Sequence, residues 1–152
     1  MPQTRMRHEF TLHAAPSAVA EHLAEPLNYV GLSPLVVEVR DITRSGAKAH
    51  YTAIERFDLP LGRHFDNAID VTLTLGLDET DTGALIVGGD VVSRAWVRVR
   101  YRYEISADAV GSRIIDAIEL RAPFGLLRFA SSRARAVQLE RARVLADRLE
   151  AS

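Results

Sequence analysis

The chain has 152 residues, a formal net charge of −1 and 47% hydrophobic residues, which suits one domain with a real core and gives no bulk attraction to nucleic acid or anionic lipid. It has no cysteine, which excludes disulfides and thiolate metal sites, and no apolar run approaches the length of a membrane span. The opening MPQTRMRHEF lacks an apolar signal region, so a soluble, cytoplasmic protein is expected.

In chain order, Arg7 to His13 reads as a first strand. Pro16-Ser17-Ala18-Val19 then starts a short helix, because proline is tolerated in a first helical turn and Val19, His22 and Leu23 share a face. Pro26 stops that helix, and a brief second helical turn is expected to reach Tyr29. Six strands follow between Leu35 and Ala122. They are separated by Ser45-Gly46, Pro60-Leu61-Gly62, Asp78 to Gly83, Ser93-Arg94 and Asp108 to Ser112. The gaps are short, so consecutive strands should be antiparallel neighbours.

Two of these strands are clearest. Phe65, Ile69, Val71, Leu73 and Leu75 alternate with His64, Asp66, Asp70, Thr72 and Thr74, with Asn67 as a polar exception in the apolar row. In Ala95 to Ala107, Tyr101, Tyr103 and Ile105 alternate with Arg100, Arg102 and Glu104. The period then changes. From Pro123 to Ser152, after Gly125, the residues Leu126, Ala130, Ala134, Val137, Val144, Leu145 and Leu149 recur at helical spacing, with charges on the other face. At about 1.5 Å per residue this helix spans roughly 35 to 40 Å, enough to cross a sheet. The chain shows no linker, low-complexity stretch or internal repeat, so residues 1–152 are expected to form one domain.

This order of elements is that of the helix-grip fold. His8 to Pro34, with Phe10, Leu12, Ala15-Pro16, Val19, His22-Leu23, Pro26 and Asn28-Tyr29, resembles the opening of the START/Bet v 1-like (SRPBCC) superfamily. It is similar to the bacterial polyketide cyclase/dehydrase and lipid-transport group in particular. Gly111-Ser112-Arg113-Ile114 through Pro123, followed by the helix, resembles that group's final hairpin and grip helix. The resemblance implies an α+β fold, with a seven-stranded curved antiparallel sheet wrapped around the long helix and two short helices after the first strand. It also implies a hydrophobic cavity and supplies no portable catalytic motif.

A physical argument gives the same cavity. A twisted seven-stranded sheet curls, and one helix about 10 Å wide cannot fill its concave side. Taking the more apolar row of each strand as inward places Phe10, Leu12, Val37, Val39, Phe65, Ile69, Val71, Leu73, Val97, Val99, Tyr101, Tyr103, Ile114, Ile118 and Leu120 on that side. Such a lining suits a small hydrophobic ligand, lipid-like or polyketide-like.

Among these apolar neighbours the same phasing leaves two carboxylates, Asp116 between Ile114 and Ile118 and Glu55 between Ala53 and Phe57. A carboxylate in an apolar pocket has a raised pKa and suits general acid or base work, whereas a paired or solvent-facing one does not. Tyr51, Asn67, Tyr101 and Tyr103 are candidates to orient a ligand carbonyl or hydroxyl, and Phe57, Phe65, Ile69, Val99, Ile118, Phe129 and Val137 are candidate wall residues. Arg133 lies near the apolar stripe of the helix, where it either reaches an acidic ligand or Asp116, or snorkels to solvent.

The five histidines show no ligand spacing, so no metal or cofactor is expected. No nucleophile elbow or phosphate loop appears. Arg98, Arg100 and Arg102, with Trp96 in the same phase, read either as a solvated outer face or as a surface for an acidic partner.

Three functions remain. Binding or transport of a small hydrophobic ligand leads, because no catalytic constellation appears. A polyketide cyclase, aromatase or dehydratase using Asp116 or Glu55 with the tyrosines is the enzymatic alternative. A ligand-free protein-interaction module is the third. The protein is expected to be a monomer or homodimer that uses neither nucleic acid nor an integral membrane segment.

Overall fold

The structure, a computed structural model, describes residues 2–77, 83–93 and 96–150. Strand β1 (Gln3–Leu12) leads to helix α1 (Pro16–Ala24), a 3-10 turn (Pro26–Asn28) and a single turn α2 (Tyr29–Leu32). Strands β2 (Val36–Ser45), β3 (Lys48–Asp58), β4 (His64–Leu77), β5 (Leu85–Ser93), β6 (Arg98–Ala107) and β7 (Ser112–Arg121) follow, then helix α3 (Leu127–Glu150). One seven-stranded sheet runs in the order β1-β7-β6-β5-β4-β3-β2, with every described pair antiparallel. The expected meander is therefore present, and β1 closes beside the last strand.

The inward rows follow from the period-two patterns. On β7, Ser112, Ile114, Asp116, Ile118 and Leu120 are all buried and the alternate positions are not, so Asp116 points inward. On β3, Ala49, Tyr51 and Ala53 are buried, and Glu55 continues their row. The outward row of β6 is solvated and ion-paired in part. Arg100 Nε meets Asp90 Oδ1 of β5 at 2.9 Å, and on β7 Arg121 reaches Glu119 at 3.2 Å.

Four details differ from the sequence reading. First, β1 covers Gln3–Leu12 rather than Arg7 to His13, because residues 3–12 pair without interruption with 112–121 of β7. Second, β2 bears Val36 inward and Val37 outward. Register shifts near 36–38 and 40–43, with Asp41 at φ +56°, bring Val36, Val39 and Ile42 to the core face at every third position.

Third, β6 begins at Arg98, and Ala95 lies outside the described residues. Trp96 does not share the arginine phase: its backbone is left-handed, at φ +64°, and its side chain is 76% exposed. Fourth, the closing helix starts at Leu127. Pro123 to Leu126 form a turn, closed by Leu126 N–H to Pro123 C=O at 3.1 Å, with Gly125 at φ +88°.

The helices cover the sheet unevenly. Helix α3 packs along β1 and β7, and α1 lies across β4 to β7. Toward the β3–β4 turn, α3 stands off the inward face of β3 and β4 and leaves a space between them. No described helix is long and apolar enough to cross a membrane.

Candidate functional site

The part of the inward face from which α3 stands off is one wall of a cavity of about 520 Å³. Tyr51, Ala53 and Glu55 of β3, Asn67, Ile69 and Val71 of β4, Val99 and Tyr101 of β6, and Ile118 and Leu120 of β7 form the sheet side. Phe129, Ala130, Arg133, Ala134, Val137 and Arg141 of α3 form the opposite side, and Tyr29 of α2 lines it as well. The volume lies within the range of about 300–1,000 Å³ usual for small-molecule sites.

Eleven of the twelve candidate ligand-binding residues line it: Tyr51, Phe57, Phe65, Asn67, Ile69, Val99, Tyr101, Ile118, Phe129, Arg133 and Val137. So does Glu55. Tyr103 and Asp116 do not line the cavity. They face one another across β6 and β7, one inward position beyond the Tyr101–Ile118 pair, and both are buried. The cavity ends at the Tyr101–Ile118 level, and polar side chains of α3 fill the layer beyond.

Near the β3–β4 turn, Phe57 and Phe65 stack with ring centroids 4.9 Å apart. The Arg133 guanidinium lies 5.3 Å from the Phe57 ring and 5.4 Å from the Phe129 ring. Phe65 and Phe129 are half or more exposed, so this end is the mouth. Glu55 sits opposite Asn67 across β3 and β4, and both line the cavity. Burial pushes the Glu55 carboxyl above the usual carboxylate range, against the opposing pull of Asn67 and Arg133.

The far end is built around Arg141, which is 5% exposed. Its Nη2 donates to Asp116 Oδ2 at 3.2 Å, and its guanidinium lies 4.7 Å from the Tyr101 ring and 5.2 Å from the Tyr103 ring. Gln138 Nε2 donates to the Asp116 carbonyl at 2.9 Å, and Gln138 Oε1 accepts from Arg135 Nη1 at 2.7 Å. Tyr29 Oη donates to the Leu23 carbonyl at 2.7 Å. Burial pushes Asp116 upward, while the Arg141 charge opposes that shift.

Arg133 is therefore not the partner of Asp116; Arg141, two turns further along α3, is. The sequence reading missed Arg141, Gln138 and Tyr29. The signal was present in the spacing, since Ala134, Gln138, Arg141 and Leu145 recur at four, three and four residues and so share the inner face. Seeking only apolar residues at that spacing hides two polar members. Among the described residues no cluster of three or more His, Asp or Glu side chains is placed to hold a metal ion.

The sequence matches no family model and no curated protein. Solved structures do match. The Zhui aromatase/cyclase from Streptomyces sp. R1128 superposes with a TM-score of 0.73 at 12% identity, over 98% of this chain and 94% of that one. The chain has the helix-grip fold.

Helix-grip proteins of other descriptions are similar too. The STAR-related lipid transfer protein from Xanthomonas axonopodis gives a TM-score of 0.69 at 15% identity, over 96% of this chain and 85% of that one. The di-domain aromatase/cyclase StfQ of the steffimycin biosynthetic pathway gives 0.74 at 9% identity, over 97% of this chain and 51% of that one. At these identities the likeness is one of fold, and a helix-grip fold hosts several chemistries.

Proposed function

We propose that the protein binds a small hydrophobic ligand, lipid-like or polyketide-like, in the cavity between its sheet and α3. The observation that carries this reading is the cavity itself, about 520 Å³ with a predominantly apolar wall. A space of that size between well-packed elements leaves many side chains without packing partners on one side, and an apolar ligand restores those contacts. The fold is shared with an aromatase/cyclase and a lipid transfer protein, which is in keeping with a ligand-holding role. Native mass spectrometry of the purified chain, before and after incubation with a mixture of fatty acids and fused-ring aromatics, tests it. Retention of a ligand at one per chain is expected; failure to take up any of them contradicts the reading.

One observation favours an enzymatic version. Glu55 lines the cavity, and its carboxyl is biased toward the protonated form by burial. In a cyclase or dehydratase it would exchange a proton with a carbonyl-bearing substrate while Asn67 holds its orientation. Asp116 suits that role less well, being committed to Arg141 and set behind the wall. Turnover of a poly-carbonyl substrate that is unchanged in Glu55→Gln would remove the enzymatic version and leave ligand binding standing.

A further inference from the structure

The polar groups at the two ends of the cavity differ in how they are satisfied. At the mouth, Glu55 and Asn67 face each other across β3 and β4 and are only half-buried, and Arg133 lies between two aromatic rings. At the far end, Tyr101 Oη, Arg141 Nε and Asp116 Oδ1 are buried without a hydrogen-bond partner; Tyr101 and Arg141 line the cavity, neither residue being more than 5% exposed, whereas Asp116 lies behind its wall. Buried donors of this kind are uncommon, because an unmade hydrogen bond in the interior is costly. Tyr101 and Arg141 can both donate, and an arginine can do nothing else.

We infer that Tyr101 and Arg141 form a polar pole that holds the carbonyl oxygen of a neutral ketone, ester or lactone at the far end of an otherwise apolar ligand. The inference rests on the ligand-binding reading above and names the chemistry of that ligand. Two unpartnered donors on residues of one cavity wall call for an oxygen acceptor. Neutrality follows from charge: Arg141 is already paired with Asp116 at 3.2 Å, so a ligand carboxylate would place a second, uncompensated negative charge beside a buried ion pair. Arg133 and Arg141 are eight residues apart on α3, so the mouth and the pole are separated by roughly 12 Å. A ligand spanning them has its carbonyl at one end of a rigid or extended apolar body.

Isothermal titration calorimetry of the full chain with three matched probes tests this: 2-acetylnaphthalene, 2-isopropenylnaphthalene, in which a methylene replaces the ketone oxygen, and 2-naphthoate. Wild type is expected to bind the ketone about tenfold more tightly than the hydrocarbon, the value of one or two net hydrogen bonds. Tyr101→Phe should reduce that preference several-fold. The double variant Asp116→Leu/Arg141→Met, which removes the ion pair as a unit so that no lone charge stays buried, should abolish it, read as the ratio of ketone to hydrocarbon affinity. Equal binding of ketone and hydrocarbon by wild type, or an undiminished preference in Tyr101→Phe, overturns the carbonyl pole and leaves the ligand-binding reading intact. Tighter binding of 2-naphthoate than of the ketone overturns the assignment of a neutral group. If wild type binds none of the three, the ligand-binding reading fails and the pole fails with it.

Discussion

Arg141 and Asp116 form an ion pair across the interior, Nη2 to Oδ2 at 3.2 Å, with neither side chain more than 6% exposed. The pair ties α3 to β7, next to the strand pairing that joins the last strand back to the first. A charge of either sign left alone there is buried without an opposite charge to compensate it.

Removing one partner should therefore cost far more than removing both. Arg141→Met is expected to destabilise the fold by about 3–5 kcal/mol, because Asp116 then stays buried without compensation. In Asp116→Leu/Arg141→Met about 2 kcal/mol or more of that loss should return. Urea unfolding of the two variants measures the difference. Equal losses in both would show that the pair acts only as packing.

Gly89 on β5 faces Tyr101 directly across the β5–β6 pairing, and a Cβ at Gly89 would lie 2.2 Å from Cζ of the Tyr101 ring. The ring occupies the space a side chain would take. Gly89→Ala should accordingly cost about 1–3 kcal/mol, the usual penalty of overpacking. In a Tyr101→Ala background the same substitution should cost much less. Thermal melts of the four-member cycle check this, and a coupling near zero would contradict the contact.

Glu55 gives a pH dependence whose sign is fixed. Burial raises its pKa in the folded state above the unfolded value of about 4.5. Its contribution to stability is thus fully present below that unfolded value and is lost as pH rises through the raised one. Glu55→Gln should gain stability relative to wild type as pH is taken from 4 to 8, and the two curves should converge at the acid end. Melting temperatures of both proteins across that range test the sign; a variant that loses ground as pH rises would reverse it.

How far the sequence revealed this depends on which physical signal was being read. Alternation on β4 and β6 and turn residues such as Pro60 and Gly62 marked the meander, because burial on one face imposes a period of two. That logic also placed Glu55 and Asn67 in the cavity wall. It failed at β2, where irregular register changes the inward period and puts Val36 rather than Val37 inside. It failed again at Trp96, whose left-handed backbone follows no strand phase.

The ends of the cavity were harder. Tyr103 and Asp116 lie on the correct row, but the depth at which a cavity stops depends on what α3 inserts from the opposite side. Arg141 and Gln138 do that, and their polarity concealed them in a search for apolar positions.

A ligand-accessible cavity should be blocked from within. Ala134 lies on α3 in the cavity wall, so Ala134→Trp fills space rather than displacing packed atoms. The variant should fold with an unchanged or higher melting temperature, since new dispersion contacts replace empty volume. Titration of the fluorescent probe N-phenyl-1-naphthylamine into both proteins tests the central claim most directly. One saturable site in wild type, weakened at least tenfold in a folded Ala134→Trp, is the predicted result; no saturable binding in wild type, or equal binding in both, would contradict it.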